Sequence, residues 1–323
     1  MSALAAFSKE QKELCKRLLA TRVALMMGRK FEEEDWAFAY CQAKDIPHRG
    51  WSNLHIDVMH NGLGVEHKML CVGEGTSLMT CAGTTLMHPS ATRSIRVAST
   101  DVDPNKAKDD VLAQYATLIE QRTKKVAESS PDGKADMRTG WLIWERSLTE
   151  FLYFEERMTP PDPTKFWAKW NEIAARGVRK SSKNLWIYEN GTNKKRYSVT
   201  TNAGTKIQPY FDIPAPNDPN LSFFRVQGEE ITAGQVRIWI TATTLRELDR
   251  LLGKVDINTL SKAIIETAGK KKAIEAQEEK VEELARPVEI TLDAYKVLVA
   301  RWTGVSDEHR AQLLVQTIRE GMA

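Results

Sequence analysis

Cysteine is scarce in this chain: four in 323 residues, Cys15, Cys41, Cys71 and Cys81, with no C-x-x-C spacing. That excludes a disulfide framework and a thiolate zinc ribbon, and the thiols read as reduced, as in a cytosolic protein. No run of about 18 apolar residues is present, so no membrane-spanning helix is expected. The opening MSALAAFSKEQK lacks the apolar stretch of a signal peptide, and the expected location is the cytoplasm. Charge of one sign is not in excess either: 46 Lys and Arg stand against 43 Asp and Glu, a net of +3. Binding a polyanion would therefore require positive charge gathered on one surface. No G-x-x-x-x-G-K-[ST], H-E-x-x-H or G-x-S-x-G occurs, no G-x-G-x-x-G follows a strand, and no tandem repeat is visible. P-loop ATPases, zincins, α/β-hydrolases, dinucleotide-binding enzymes and solenoids are set aside on that ground.

What is present is an ordinary globular composition, 42% hydrophobic and 28% charged, and one unusual hairpin. Leu54 to His60 and Leu63 to Leu70 are β-prone runs joined by Asn61-Gly62. Asn-Gly between such runs is the strongest short-range signal for a two-residue type I′ turn. With that turn, Asp57 lies directly opposite Glu66. Side chains alternate along a strand, so Leu54, Ile56 and Val58 share a face with Val65, His67 and Met69 of the return strand. Asp57, Glu66, Lys68 and Leu70 take the other. Like charges directly opposed are destabilising, and a divalent metal between them is the simplest compensation. Hard oxygen ligands suit Mg²⁺, held by one or two carboxylates with water or phosphate completing the shell. An adjacent lysine orients a water or neutralises charge building on a phosphate. The chemistry is metal-assisted phosphodiester hydrolysis. His55, His60 and His67 lie nearby, but alternation puts His60 and His67 on the face away from Asp57 and Glu66, which argues against a shared zinc site.

Asp57 followed by Glu66-His67-Lys68 resembles the Asp … Glu-x-Lys motif of the PD-(D/E)XK nucleases, a superfamily that includes most type II restriction endonucleases. Ile56 stands where the motif has its proline. The resemblance covers about twenty residues and implies Asp57 and Glu66 as metal ligands, the His67 carbonyl as a further ligand, and Lys68 as the catalytic lysine. It implies a helix before the hairpin that contributes another acid, for which Glu32 and Glu33 are the options. It also implies an α/β (α+β) fold: a central mixed β-sheet flanked by helices, restriction-endonuclease-like, with a helical C-terminal region. Exonucleases of the superfamily carry a Q-x-x-x-Y signature that Gln114-Tyr115 does not match, which favours an endonuclease.

Along the chain, helices are expected at Lys9 to Met27, Glu32 to Lys44, Asp103 to Glu128 and Thr164 to Ala175. Gly73 to Arg96 reads as a polar loop in which Arg93 and Arg96 suit phosphate contact. Ser129 to Thr139 reads as a linker. Gly140 to Trp144 and Phe151 to Phe154 read as buried strands extending the motif sheet. Residues 178 to 241 read as a β-rich segment with basic edges, including Arg179, Lys183, Lys194 and Arg196, suited to reading a DNA groove. From Ala242 onward the chain reads as helical. The expected division is a nuclease core over 1–253 and a helical region over 254–323, with a dimerising role because cutting a symmetric duplex needs two sites related by a two-fold axis. The resulting expectation is a Mg²⁺-dependent, sequence-specific endonuclease acting on double-stranded DNA as a homodimer, away from membranes. The alternatives are a structure-specific repair or anti-phage nuclease, and a non-catalytic DNA- or protein-binding module.

Overall fold

The computed structural model describes residues 4–25, 31–47, 56–73, 77–81, 83–84, 95–175, 181–201, 206–267, 284–302, 314–315 and 318. Arg93, Arg179, His55 and most of the Gly73 to Arg96 loop lie outside them. The fold is α+β, with three sheets among the described residues. The chain groups into two compact units. One comprises Met1–Ala6, Arg49–Ile143 and Leu152–Ser222, and the other Phe7–His48, Trp144–Phe151 and Phe223–Ala323.

In the first unit the hairpin forms as the turn chemistry predicts. Strand β1 (Val58–His60) pairs antiparallel with β2 (Leu63–Val72), with Val58 opposite Val65, Met59 opposite Gly64 and His60 opposite Leu63. Asn61 and Gly62 adopt φ of 46° and 80°, the left-handed pair that a type I′ turn requires. After β2 come a short β3 (Gly83–Thr84) and the long helix α3 (Pro104–Glu128). Asp103 caps this helix, its side chain accepting from the backbone N–H groups of Asn105 and Lys106, and Pro104 starts it where a missing N–H costs nothing. The chain then returns as β4 (Asp136–Glu145) beside β2. Asp136 N donates to Gly62 O at 2.7 Å, and a Cβ on Gly140 would stand 2.8 Å from His67 Nδ1. Residue numbers thus rise together along β2 and β4. They are a parallel pair joined by a helical crossover.

Strand β5 (Glu150–Arg157) folds back on β4, with Met158 N donating to Met137 O at 2.8 Å. The completed order is β1-β2-β4-β5-β10, with β10 spanning Ser222–Arg225. The sheet is therefore mixed, and the expected buried strands Gly140 to Trp144 and Phe151 to Phe154 are its centre. Sequence reasoning placed a linker where β4 already begins, at Asp136.

Strands β6 (Phe166–Ile173), β7 (Ser182–Glu189), β8 (Lys195–Thr200) and β9 (Lys206–Phe211) make an antiparallel sheet that β3 extends. A helix expected over Thr164 to Ala175 is instead a single 3-10 turn at Pro163–Lys165 followed by β6. β6 pairs with β7 along its whole length, from Phe166 opposite Glu189 to Ile173 opposite Ser182. Cross-strand hydrogen bonds and aromatic packing there outweigh the local helical pattern. One face of this sheet, with Ala168, Leu185, Ile187, Val199 and Ile207, packs on Ala107, Val111, Leu112, Tyr115 and Ile119 of α3.

In the second unit, helix α1 (Lys9–Leu25) and helix α2 (Glu33–Ala43) match expectation within a residue or two over the described positions. Phe7, Trp36, Tyr40 and Phe224 form an aromatic cluster, with Phe7 and Tyr40 edge-to-face at 5.5 Å. Strand β11 (Glu229–Thr232), β12 (Gln235–Ile240) and β13 (Arg286–Thr291) make a three-stranded sheet. Helices α4 (Ala242–Leu252), α5 (Ile257–Thr267) and α6 (Leu292–Trp302) surround it. Strand β13 corrects the expectation of a wholly helical region after Ala242: Val288 and Ile290 alternate inward opposite Ile238 and Val236.

No helix among the described residues is long and apolar enough to cross a membrane.

Candidate functional site

The hairpin motif is assembled by local turn chemistry and closed by a distant helix. Glu66 and Lys68 project from β2 toward α3, with Lys68 Nζ 3.0 Å from Glu66 Oε1. Arg122, from α3, places Nη1 3.2 Å from Glu66 Oε2. The helix comes this close because Gly64 has no side chain: a Cβ there would collide with Val126 Cγ2 and lie 2.8 Å from Met137 Sδ. Glu66 and Lys68 are buried, 4% and 6% exposed. A solvated charged hairpin face, the plain alternative for such a strand, is therefore not what the fold builds. Burial pushes the Glu66 carboxyl up. The Lys68 ammonium and the Arg122 guanidinium outweigh burial and hold the carboxyl below its ordinary value.

Asp57 sits one residue before β1 and is half-buried. Its carboxylate turns across the hairpin, and Oδ2 accepts from His67 N at 2.6 Å. This bond fastens the Asp57 carboxylate to the backbone of His67, the residue between Glu66 and Lys68.

The opposite face of β2 is also polar. His67 is buried with Nδ1 3.4 Å from the Tyr153 hydroxyl, which donates to Glu155 Oε1 at 3.0 Å. Glu155 Oε2 accepts from Arg138 Nη1 at 2.6 Å, and Arg138 forks onto Asp136. Asn220 closes the chain by clasping the Glu155 backbone, accepting from its N–H at 3.1 Å and donating to its carbonyl at 2.7 Å. These buried and half-buried groups, bonded in series, rigidify the sheet behind the motif. Gly140 is required here, since a Cβ would run into the Tyr153 hydroxyl and the His67 ring.

The other predicted residues fare differently. Lys194 and Arg196 both hold Asp212, at 3.2 and 2.7 Å, and Arg196 also reaches Glu189 at 3.3 Å. Lys183 stands 3.9 Å from Glu172. Their charge is thus balanced by carboxylates at the sheet edge. Arg96 is exposed, and its backbone is clasped by the Gln114 side chain. Glu32 precedes α2 in a capping box with Asp35, and Glu33 begins the helix; both belong to the second unit. Arg122 escaped the sequence reading, although a signal exists: it occupies the same helical stripe as Tyr115, Ile119 and Val126, where an apolar residue would be expected.

Comparison with protein-family models, with curated proteins and with solved structures finds no match to this chain.

Among the described residues, no group of three or more His, Cys, Asp or Glu side chains is arranged to hold a metal ion. The motif supplies two carboxylates, Asp57 and Glu66, the donor type that a hard divalent cation takes. Glu66 Oε2 is buried and faces the Arg122 guanidinium at 3.2 Å.

Proposed function

We propose that this protein is a Mg²⁺-dependent DNA endonuclease whose mixed sheet and crossover helix are restriction-endonuclease-like. The observation that carries the reading is the hairpin register. The Asn61-Gly62 turn pairs Val58 with Val65, and this brings Asp57 onto the stretch of β2 that bears Glu66 and Lys68. The parallel strand reached through α3 supports the fold assignment. Asp57 and Glu66 would hold Mg²⁺, which when bound polarises a phosphoryl oxygen and lowers the pKa of a water. Lys68, already directed at Glu66, would orient the attacking water and offset charge on the phosphate. The product would carry a 5′-phosphate. A homodimer supplies the second site for a duplex with two-fold symmetry.

The test is incubation of phage DNA with Mg²⁺. Discrete fragments are expected for a sequence-specific enzyme, and a smear would point to the structure-specific or nonspecific branch. Asp57→Ala and Lys68→Ala should lower cleavage by more than about a hundredfold while leaving DNA binding largely intact. Full Mg²⁺-dependent cleavage by both variants would end the proposal.

A second reading has one observation in its favour. Both Glu66 oxygens face cations within 3.2 Å, the arrangement of a structural ion triad. On that reading the protein is a non-catalytic DNA- or protein-binding module, and neither Mg²⁺ nor Mn²⁺ elicits cleavage.

A further inference from the structure

The sheet β6–β9 uses only one face against α3. The other face carries a ladder of rings and ammonium groups. Trp167 of β6 stacks on Tyr188 of β7, with centroids 4.5 Å apart and planes within 14°. Lys169, two residues on, lies 5.3 Å from the Tyr188 ring and 5.9 Å from the Trp186 ring. Lys195 of β8 is held between Trp186 at 4.2 Å and Tyr210 of β9 at 4.5 Å. Register places them together: Trp167 faces Tyr188, Lys169 faces Trp186, and Tyr188 faces Lys195. All four rings are half exposed, and Lys169 is exposed.

The remaining positions of this face are uncharged or basic. Asn171, Asn184, Ser198, Thr200 and Gln208 alternate with the ladder, and among the described positions of β6–β9 no Asp or Glu falls on it. Of the carboxylates of the segment, Glu189 and Asp212 are engaged with Arg196, and Glu172 stands 3.9 Å from Lys183 on the alternate positions of β6 and β7. Lys169 and Lys195 make no ion pair among the described residues.

We propose that this face binds single-stranded DNA, stacking unpaired bases on Trp167, Trp186, Tyr188 and Tyr210 while Lys169 and Lys195 meet the backbone phosphates. The chemistry selects such a ligand over others. Ring faces recognise base faces, which a duplex buries in its own stack, and ammonium groups with no ion pair among the described residues recognise phosphate. An exposed cation–π contact is weak compared with base stacking plus a phosphate contact. A base entering beside Trp186 therefore displaces Lys195 from the ring toward the phosphate. Binding does not depend on the cleavage reading; only the choice of DNA over RNA rests on it.

The experiment is fluorescence anisotropy of a labelled oligothymidylate of about 15 nucleotides, near the span of one such platform, with the full chain in EDTA. Binding with quenching of tryptophan emission is expected, and a duplex of equal length should bind less tightly. Trp186→Ala and Lys195→Glu should each weaken binding about tenfold or more, and Trp186→Phe should restore most of it. Thermal unfolding of each variant checks its fold. If Trp186→Ala is destabilised, the half-buried surface residue Lys195 decides alone through Lys195→Glu. Unchanged affinity in Lys195→Glu, equal affinity for duplex, or tighter binding of oligouridylate overturns the proposal. Asp57→Ala should bind oligothymidylate like the wild type. Its cleavage result bears only on the nuclease reading, so the two proposals fail separately.

Discussion

Glu66 and Asp212 are each held between a lysine and an arginine, in the same unit of the molecule, at nearly the same distances. Glu66 has Lys68 at 3.0 Å and Arg122 at 3.2 Å; Asp212 has Arg196 at 2.7 Å and Lys194 at 3.2 Å. They differ in water. The Glu66 side chain is 6% exposed and its lysine 7%, whereas Asp212 is 50% and Lys194 56% exposed. In the first triad three charges have given up hydration and depend on one another. In the second, solvent and salt compete with every contact. Sequence alone presents both as charged residues on strands, and only burial separates a site from a decorated edge.

The comparison is broken most directly by removing the central charge. Glu66→Gln should cost about 3–5 kcal/mol of stability, because two buried cations lose their counter-charge; urea unfolding measures it, and a loss below about 1 kcal/mol would make the buried triad no different from an exposed one. Closing the gap that admits α3 comes next. Gly64→Ala should cost about 1–3 kcal/mol by overpacking against Val126 and Met137, read as a lowered urea midpoint with an unchanged slope.

Acid titration sharpens the contrast. The folded Glu66 carboxyl lies below its ordinary value of 4.5. Its stabilising contribution is therefore present above that value and is lost as pH falls toward the folded one. Wild-type stability should drop in that window more steeply than that of Glu66→Gln, and parallel acid limbs would count against the assignment. The smallest effect belongs to the exposed triad: Asp212→Asn should change stability by at most about 1 kcal/mol, and less at 1 M salt.

The features legible in sequence were those governed by neighbours along the chain. Asn61-Gly62 dictates its own φ values and so the hairpin register. Asp103-Pro104 starts α3, and the aromatic runs of β4 and β5 carry a strand pattern of their own. The failures were set by partners far away in sequence. Phe166 to Ile173 becomes a strand because β7 lies beside it, and Arg286 to Thr291 because β12 does. Arg122 joins Glu66 across the crossover from β2 to α3, and no local pattern reports that meeting. The described basic residues chosen at the β-rich segment are paired with carboxylates in the fold, Lys183 with Glu172 among them. Arg196 and Lys194 are balanced by Asp212, while Lys169 and Lys195 lie on aromatic rings.

What the sequence determined by itself was the hairpin: its turn and its register. Turn dihedrals and strand alternation are local properties, so local residues suffice to set them. Tertiary structure decided that Glu66 is buried, that Arg122 completes its partners, and that one face of β6–β9 packs on α3 while the other carries the ladder of half-buried rings. Burial depends on which surfaces pack together. Here the surfaces that decide it belong to a helix that begins more than thirty residues after the motif strand ends.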